Sequence, residues 1–563
     1  MSGPTASSPL GPRERGLAAL AGLAAAAILS FRQVYEPDLW WHLAHGRENA
    51  SGDLIRSNLF SFIYPDYRQH YTSWLFDTTM YWAWQAGGGA AIQTAQWMAT
   101  AGALFLLYRT CRQHAPALAA ASTLVLAWVV LEPRVIPRPH LVSFVGLAAC
   151  SLLIARASAA RSARPLVWAI PLVALWANLH VECVFGAALI GLFGLGELVW
   201  PTVLGRRDAW RTLACGAACG LATMVTPYGW GILRYLLENT ALPGLFEVAE
   251  LQRPYLPGYR AFYVYLGVVA ILLLSQPRRL RLWEVLAAAL FAAAGLRYLR
   301  LTPLVVLVTA PFVAARVGAL MARGLNGWSA LVTALAAAIL LARLPPVAFV
   351  TELRAGTDAV RLPGFFSTRA IDFARAQQLS GPVFNSANLG GFVAWELFPA
   401  VRTFQDARFQ SYPPEHFTAI ARASASQLDW DALVAGVDWA MLSRARPNVL
   451  SGVGRFPRHE WPLVYWDEGT EIVVRRDGRF GHVAAVHEYL LLTPEADGVQ
   501  LETWLASPLG HRLRGEARRN WADNPRGFLP AAVLCLDKDE DACRALAEIA
   551  EARAMPAALP GPP

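Results

Sequence analysis

The chain has 563 residues, of which 55% are hydrophobic and only 16% are charged. Soluble globular proteins carry about 25% charged residues, so this composition excludes a wholly soluble protein. It predicts an integral membrane protein with room for a soluble part. The net charge of +8 would suggest a nucleic-acid partner in a soluble protein, but membrane topology explains it better here. We therefore expect a lipid bilayer and no nucleic acid as partners.

Apolar segments of about 20 residues can span a bilayer, and residues 1–345 contain about eleven candidates. Their approximate ranges are 16–33, 89–110, 117–133, 141–157, 166–180, 183–200, 212–227, 261–276, 282–297, 301–318 and 328–345. The first of them lacks the cleavage pattern of a removed signal peptide, so we expect it to be retained. The sequence thus predicts an α-helical polytopic membrane domain over 1–345.

Arginine divides the connecting segments into two classes. If the N-terminus is cytoplasmic, every segment on its side is basic, as the positive-inside bias requires. Most acids and imidazoles then fall in the outer segments 34–88, 134–140, 181–182, 228–260 and 298–300. This separation predicts a cytoplasmic N-terminus and an extracytoplasmic C-terminal region.

The long first outer loop, 34–88, predicts two amphipathic helices that lie at the membrane surface. The first begins near Asp38. The second covers Ser73–Gln85 and ends at Gly87-Gly88-Gly89, where glycines interrupt the helical pattern.

From about residue 346 the composition becomes polar, and 346–480 predicts an extracytoplasmic α/β domain. Gly390-Gly391 suggests a turn between its first two strands, and Asp467-Glu468-Gly469 predicts a hairpin. Residues 481–563 predict a helical extension with a disordered tail. Cys535 and Cys543 lie there and would pair only in an oxidising compartment. The predicted strands are 382–386, 401–405, 438–443, 462–466 and 470–475, and the predicted helices are 414–425 and 430–435.

The most informative stretch is YEPDLWWHLAHGRE, residues 35–48. If it is helical from Asp38, then Asp38, His42 and His45 share one face. Trp40 and Trp41 then point elsewhere, as amphipathic rings do at a membrane–water interface. Two interpretations stay open, a reaction centre at the bilayer surface or an interfacial anchor with a solvated polar face.

Glu36 and Asp38 flank Pro37, which makes the helix entry rigid. Asp38 suits the N-cap of the helix. An acid that emerges from the membrane at a fixed turn also suits a general base. Both roles for Asp38 remain open on sequence grounds.

Two groups of basic residues lie on the side that should lack them. Arg134, Arg138 and His140 lie in EPRVIPRPH, and Arg297 and Arg300 flank a Tyr-Leu pair. Charge-assisted hydrogen bonds from such groups can hold a phosphate or pyrophosphate. The alternatives are ion pairs with nearby acids for the first group and snorkelling to headgroups for the second.

Asn178, His180 and Glu182 end an apolar helix in WANLHVE. Polar groups there are costly in lipid and should face a cavity, although they also suit internal structural contacts. His180 and Glu182, together with Asp38, His42 and His45, offer ligands for a divalent metal. Their spacing is not a specific signature, so metal dependence stays open.

The segments PDLWWHLAHG, LWANLH, VTPYG and GFVAWEL, the acidic first outer loop and the outer α/β domain resemble the GT-C superfamily of membrane glycosyltransferases and bacterial proteins near it. The resemblance implies transfer of a sugar from a polyprenyl-phosphate donor on the outer face of a bacterial cytoplasmic membrane. It places the catalytic carboxylate on Asp38, with Glu36 beside it. Many members have adjacent acids there, whereas Pro37 separates them in this chain.

Two other function classes remain. A transporter would place acids near the membrane midplane, whereas the acids here lie at the outer edge. A non-catalytic assembly factor would use the outer domain to hold partners and would tolerate loss of Asp38.

Overall fold

The computed structural model describes residues 36–52, 54–68, 71–239, 251–255, 259–322, 366–445, 451–525 and 527–554. The predicted membrane helices 16–33 and 328–345 lie outside these ranges, as does much of the loop 228–260.

The described N-terminal part is helical. Its α-helices are α1 (Leu39–Ala50), α2 (Trp74–Arg112), α3 (Ala117–Leu131), α4 (His140–Ala160), α5 (Ala169–Ala177), α6 (Cys183–Val199), α7 (Arg206–Ala222), α8 (Gly231–Asn239), α9 (Arg260–Ser275), α10 (Leu282–Arg297) and α11 (Thr302–Met321). Short 3-10 turns at Glu132–Arg134, Arg164–Trp168, Pro277–Arg279 and Leu299–Leu301 connect some of them.

Four helices in the described part are long and apolar enough to cross a membrane. They cover Trp74–Arg112, Ala117–Arg134, His140–Ala160 and Leu299–Met321. The protein is therefore a membrane protein by helix length and composition, but the predicted count of eleven spans is not confirmed. Helices such as α6 and α7, of 17 residues each, extend only about 25 Å, less than the roughly 30 Å hydrocarbon core.

Helix α2 contains the predicted break after the second amphipathic segment. Gly87 and Gly88 have non-helical backbone angles, and Gly88 has a φ of 55°, which favours glycine because it has no side chain to clash. The amphipathic segment that begins at Trp74 and the apolar segment after the glycines are therefore two helices that meet at a kink.

The C-terminal part contains a small mixed sheet in the order β2-β1-β3-β5-β4. Strand β1 is parallel to β2 and β3, and β5 is antiparallel to β3 and β4. The five predicted strands and the hairpin are confirmed. The elements are α12 (Thr368–Ala376), β1 (Gly381–Asn385), α13 (Ala387–Leu397), β2 (Val401–Thr403), a 3-10 turn (Phe409–Ser411), α14 (Pro414–Ala425), α15 (Gln427–Leu433), β3 (Trp439–Ser443), β4 (Leu463–Trp466) and β5 (Thr470–Val474).

The predicted turn at Gly390-Gly391 is wrong, because both glycines lie inside α13. Their role is close packing. A Cβ atom on Gly390 would lie 2.1 Å from the carbonyl oxygen of Gln405, and one on Gly391 would lie 2.8 Å from the backbone nitrogen of Trp41. The two glycines thus allow α13 to contact both the sheet domain and helix α1.

Helix α1 is not a surface helix, contrary to the sequence-based expectation for its tryptophans. Trp40 is 0% exposed and packs edge-on against Phe366 and Phe392 of the sheet domain. Trp41 is only 8% exposed. An α-helix buried on all sides needs partners on all sides, and α13 and α2 supply them.

The first outer loop also joins the sheet edge. The backbone N–H of Thr403 in β2 donates to the Phe60 carbonyl at 2.9 Å, and the N–H of Phe62 donates to the Thr403 carbonyl at 3.1 Å. This pairing covers a strand edge that would otherwise be open and ties residues 57–62 to the C-terminal domain.

The helical extension packs on the same domain, with Leu492, Leu513 and Val533 buried in a shared apolar cluster. Cys535 and Cys543 form a disulfide, which the sequence left undecided. The helices of this extension are α16 (Gly481–His487), α17 (Gly498–Leu505), α18 (Gly510–Asp523), α19 (Phe528–Leu536) and α20 (Glu540–Ala554).

Candidate active site

The two acids of the first outer loop share one arginine. Arg138 Nη2 lies 2.7 Å from Glu36 Oε1 and 2.9 Å from Asp38 Oδ2. The backbone N–H of Asp38 also donates to Glu36 Oε1, at 3.0 Å. Glu36 is 2% exposed, whereas Asp38 and Arg138 are 16% and 19% exposed, so Asp38 is the carboxylate that a ligand can reach. We call these three residues the rim cluster.

Asp38 occupies the N-cap position of α1, but its side chain makes no capping hydrogen bond. Its backbone has αR angles instead of the extended geometry usual for a capping residue. The carboxylate turns to Arg138, so the interpretation of Asp38 as a side-chain cap is wrong. Arg138 forms ion pairs with the loop acids Glu36 and Asp38, which was one of the two alternatives for this residue.

His42 and His45 lie deeper, against Asp77 at the start of α2. The distance from His42 Nδ1 to Asp77 Oδ1 is 2.6 Å, and that from His45 Nδ1 to Asp77 Oδ2 is 3.7 Å. All three side chains are at most 2% exposed. The predicted helix is present and begins beside Asp38, but only Asp38 is partly exposed, and both histidines are buried.

Arg408 extends this network into the sheet domain. Its Nη1 contacts His45 Nε2, and its Nε donates to Asp406 Oδ1 at 2.9 Å. Arginine can only donate, so His45 Nε2 accepts and the ring proton lies on Nδ1, which faces Asp77. We call His42, His45, Asp77, Asp406 and Arg408 the buried network.

The neighbours of Arg408 complete its hydrogen bonding. Its Nη2 donates to Asn58 Oδ1 at 3.1 Å, and Tyr412 donates to Asp406 Oδ2 at 3.2 Å. Burial lowers the pKa of Arg408, but the carboxylate of Asp406 outweighs burial and raises it above the ordinary value. The guanidinium is thus a fixed positive charge between the first outer loop and the sheet domain.

Burial also sets the charge state of the two histidines. It lowers the pKa of His42 well below its ordinary value, and Arg138 and then His180, Arg408 and His140 lower it further. Burial, Arg408 and His42 do the same for the pKa of His45. Both imidazoles are therefore neutral at physiological pH.

A second group of polar residues lies at the turn between α5 and α6. His180 Nδ1 lies 2.7 Å from Ser143 Oγ and 3.4 Å from Glu182 Oε2, and Arg300 Nη2 lies 3.8 Å from Glu182 Oε1. Burial raises the pKa of Glu182, but His180, Arg300 and His140 outweigh it and lower the pKa to about 2. Glu182 is consequently a permanent anion, and Arg300 remains 29% exposed beside it.

The remaining predicted residues fall into two sets. His140 donates from Nε2 to the Arg134 carbonyl at 2.6 Å, and both residues are buried. His140 also lies within electrostatic range of His180 and Glu182. Asn178 is used internally: it accepts from Trp74 Nε1 at 2.9 Å and donates to the Val225 carbonyl at 2.8 Å.

Arg297 is exposed and stacks on the Tyr298 ring at 4.6 Å. It stands apart from the groups above, so of the two outer arginines near α11 only Arg300 contacts a predicted site residue.

The predicted metal ligands are committed to other partners. Within the described ranges, no group of three or more His, Cys, Asp or Glu side chains is arranged to hold a metal ion. His42 and His45 face Asp77 and Arg408, and Asp38 faces Arg138. In this arrangement Asp38, His42 and His45 are held by protein partners and are not arranged around a metal ion.

Sequence reasoning missed Asp77, Asp406 and Arg408 as members of the network. An aspartate in the otherwise apolar stretch SWLFDTTMYW is an available signal, because an acid there needs a partner. Asp406 and Arg408 lie in a polar domain where such residues are common, and no pattern along the chain links them to His45.

No protein-family model and no curated protein matches the chain. The similar solved structures include the Archaeoglobus fulgidus oligosaccharyltransferase AglB in complex with an inhibitory peptide and a dolichol-phosphate, with a TM-score of 0.48, 13% identity, and coverage of 76% of this chain and 70% of that chain. The apo form of that enzyme gives a TM-score of 0.47 at 11% identity, with 76% and 69% covered. ArnT from Cupriavidus metallidurans in the apo state gives 0.46 at 16% identity, with 82% and 97% covered.

All three TM-scores are below 0.5, so the contacts of this chain, and not its neighbours, carry the functional proposal.

Proposed function

We propose that the protein is a membrane glycosyltransferase that moves a sugar from a polyprenyl-phosphate donor to an acceptor on the outer face of a bacterial cytoplasmic membrane. The observation that carries the proposal is the rim cluster, in which a reachable carboxylate and a reachable guanidinium lie 2.9 Å apart, just before the start of the apolar helix α4. A base and a phosphate-binding cation side by side are what transfer from a phosphate leaving group requires.

In this proposal Asp38 is the general base. The acceptor hydroxyl attacks the anomeric carbon, its proton passes to Asp38 Oδ2, and the bond between that carbon and the phosphate oxygen breaks with inversion. The leaving polyprenyl phosphate gains negative charge, which Arg138 and Arg300 stabilise through charge-assisted hydrogen bonds.

The ion pair between Asp38 and Arg138 implies that the donor binds before Asp38 acts as the base. An ion pair favours the ionised carboxylate and weakens it as a base. A donor phosphate competes with Asp38 for the guanidinium of Arg138, which weakens the ion pair between Asp38 and Arg138 when the lipid is in place. Glu36, which is 2% exposed, keeps its ion pair with Arg138 throughout.

The same proposal assigns residues 1–345 to the membrane domain, 346–480 to the outer α/β domain and 481–563 to the helical extension. The disulfide between Cys535 and Cys543 supports an outer location for the extension, because disulfides persist in oxidising compartments.

Labelling of single cysteines tests this topology. One cysteine replaces Asp372, whose side chain is 71% exposed, and another replaces the exposed Arg207, in a background without the free cysteines. An impermeant maleimide should label position 372 in intact cells and position 207 only after permeabilisation. The opposite pattern would reverse the topology.

Asp38→Asn tests the catalytic role. Loss of a positioned base typically costs 10²–10⁴-fold in rate, while an amide of the same size still hydrogen-bonds Arg138. We expect a stable, inserted protein that fails to consume its donor. Mass spectrometry of the lipid-linked sugar pool in a deletion strain measures this for whichever sugar the lipid carries. Wild type should lower the pool and Asp38→Asn should leave it high.

Asp66→Asn is the matched control, because Asp66 is an exposed aspartate of the same loop. It should lower the pool as wild type does. If Asp38→Asn also lowers the pool, Asp38 is not the base.

One observation favours a second candidate, a non-catalytic assembly factor. Arg138 neutralises both acids of the rim cluster, and the buried network fixes the first loop to the sheet domain, an arrangement that also suits a rigid scaffold. An assembly factor predicts no change in any lipid-linked sugar pool on deletion, and full function for Asp38→Asn.

A further inference from the structure

A cavity of about 360 Å³ opens at the end of the helical bundle opposite the candidate active site. His140 at the start of α4 borders the site, and Ser158 near its end lines the cavity. These two positions are about 27 Å apart at the rise of an α-helix. That separation approaches the thickness of a bilayer's hydrocarbon core, so the cavity lies at the face predicted to be cytoplasmic.

The cavity is strongly basic. Arg278, Arg279, Arg281 and Arg316 line it, and Glu284 is the one acidic residue in its lining. Arg316 Nη2 lies 2.7 Å from Glu284 Oε2, so this acid is already paired. Arg278, Arg279 and Arg281 remain, and none of them forms an ion pair with a carboxylate of the described residues, although Arg281 lies within electrostatic range of Glu284.

The positive-inside bias alone does not account for this arrangement. The bias needs arginines in the loops on one side and sets no requirement that they converge. Arg206 and Arg207 satisfy it as exposed residues at the start of α7. Arg316, in contrast, lies within α11, is 3% exposed, and donates from Nη2 to the Arg279 carbonyl at 3.2 Å. It thereby fixes the basic turn at the mouth of the cavity.

The lining also offers neutral hydrogen-bond donors. Ser151 and Ser158 of α4 contribute hydroxyl groups to the same cavity. Guanidinium groups with hydroxyl groups beside them match the oxygens of a phosphate, which accept several charge-assisted bonds at once. Basic pockets between membrane helices on the cytoplasmic side suit phosphate headgroups of lipids.

We propose that this cavity is a binding site for a phosphate group, held by Arg278, Arg279 and Arg281. The phosphate belongs either to an anionic membrane lipid or to a soluble phosphate of the cytoplasm. The site is separate from the rim cluster and does not depend on the transfer reaction proposed above.

The test uses the full-length protein in nanodiscs. One set of discs contains phosphatidylcholine alone, and the other contains phosphatidylcholine with phosphatidylglycerol. Thermal unfolding is followed in both, and inorganic phosphate is titrated into the first set at constant ionic strength. Native mass spectrometry counts the phosphatidylglycerol that remains bound after release from the second set.

The variant Arg278→Gln/Arg281→Gln removes two charges from the cavity. The control Arg206→Gln/Arg207→Gln removes two charges from the same predicted side but outside it. Loss of one bond to a charged group lowers affinity by roughly tenfold or more, so the cavity variant should lose at least about a hundredfold and the control should match wild type. If the double variant does not fold, Arg278→Gln alone replaces it, because Arg278 is exposed.

Retention of phosphatidylglycerol that only the cavity variant loses would support a lipid headgroup. Stabilisation by inorganic phosphate that only the cavity variant loses would support a soluble ligand. If neither ligand binds, or if both double variants lose binding equally, the arginines serve topology alone and the proposal is wrong.

Discussion

The rim cluster and the buried network begin one helical turn apart on α1, yet they have opposite surroundings. In the rim cluster Asp38 and Arg138 are 16% and 19% exposed, so water or a ligand can replace their contact. In the buried network Asp406 and Arg408 are at most 1% exposed, and every partner belongs to the chain. Similar residue types therefore serve different purposes. The buried network holds the first loop against the sheet domain, and the rim cluster is partly open to solvent, as the proposed reaction requires.

Arg408→Leu should have the largest effect on stability. It removes the guanidinium that pairs with Asp406 and contacts His45, and it leaves a buried carboxylate without its counter-charge. Breaking a buried pair in this way costs about 3–5 kcal/mol. Thermal unfolding in detergent should show a large fall in Tm or no folded protein. Arg402→Leu, at an exposed position of β2, is the control and should change Tm little. Equal effects of the two changes would mean that the network does not hold the domains together.

Gly391→Ala should weaken the same junction by steric means alone. The added Cβ would lie 2.8 Å from the backbone nitrogen of Trp41 and 3.0 Å from its Cβ, so α13 and α1 must separate. Overpacking of this kind costs about 1–3 kcal/mol. Gly436→Ala adds the same methyl group where nothing lies within 4 Å. A matching Tm for the two variants would show that α1 and α13 do not pack as closely as the structure has them.

Local patterns predicted the local structure of this chain well. The strands, the hairpin and the kink at Gly87-Gly88 follow from residue preferences over a few positions, and each is present. The contact of Arg138 with Glu36 and Asp38 was one of the alternatives that the sequence left open, an ion pair with nearby acids. The predictions that failed concern contacts between residues that lie far apart in the sequence. Trp40 could not be placed in a core formed by residues more than 300 positions away, such as Phe366 and Phe392.

The histidines of the buried network also make the stability of the folded protein depend on pH. The pKa values of His42 and His45 are lowered in the folded protein, so these histidines take up protons on unfolding once the pH falls below about 6.5. Their contribution to stability is complete above that pH and is lost below it, by up to about 1.4 kcal/mol per pH unit for each histidine. Because the pKa of Glu182 is lowered to about 2, protonation of Glu182 causes a further loss of stability only when the pH falls below about 4.5.

Tm measured between pH 7.5 and 5.5 tests this sign. The wild-type Tm should fall as the medium is acidified. The Tm of His42→Gln should fall less steeply, because one site of proton uptake on unfolding is gone. His511→Gln, at an exposed position of α18, should keep the wild-type slope. Burial also raises the pKa of Asp77, which contacts both histidines, so proton uptake by its carboxyl in the folded state acts in the opposite direction. A Tm that rises towards pH 5.5 would show that this effect outweighs that of the histidines.

Arg300→Gln should have the smallest effect on stability. Its guanidinium is 29% exposed and lies 3.8 Å from Glu182 Oε1, and His180 also faces this carboxylate at 3.4 Å, so we expect a smaller loss of stability than at Arg408. If Arg300 binds the donor phosphate, the same change removes a charge-assisted bond, which lowers affinity by roughly tenfold or more. The expected result is a nearly unchanged Tm with a raised KM for the lipid donor. Arg297→Gln removes a charge from the neighbouring exposed position and should alter neither value. A large fall in Tm for Arg300→Gln with an unchanged KM would instead place Arg300 among the structural charges, and the donor phosphate would then depend on Arg138 alone.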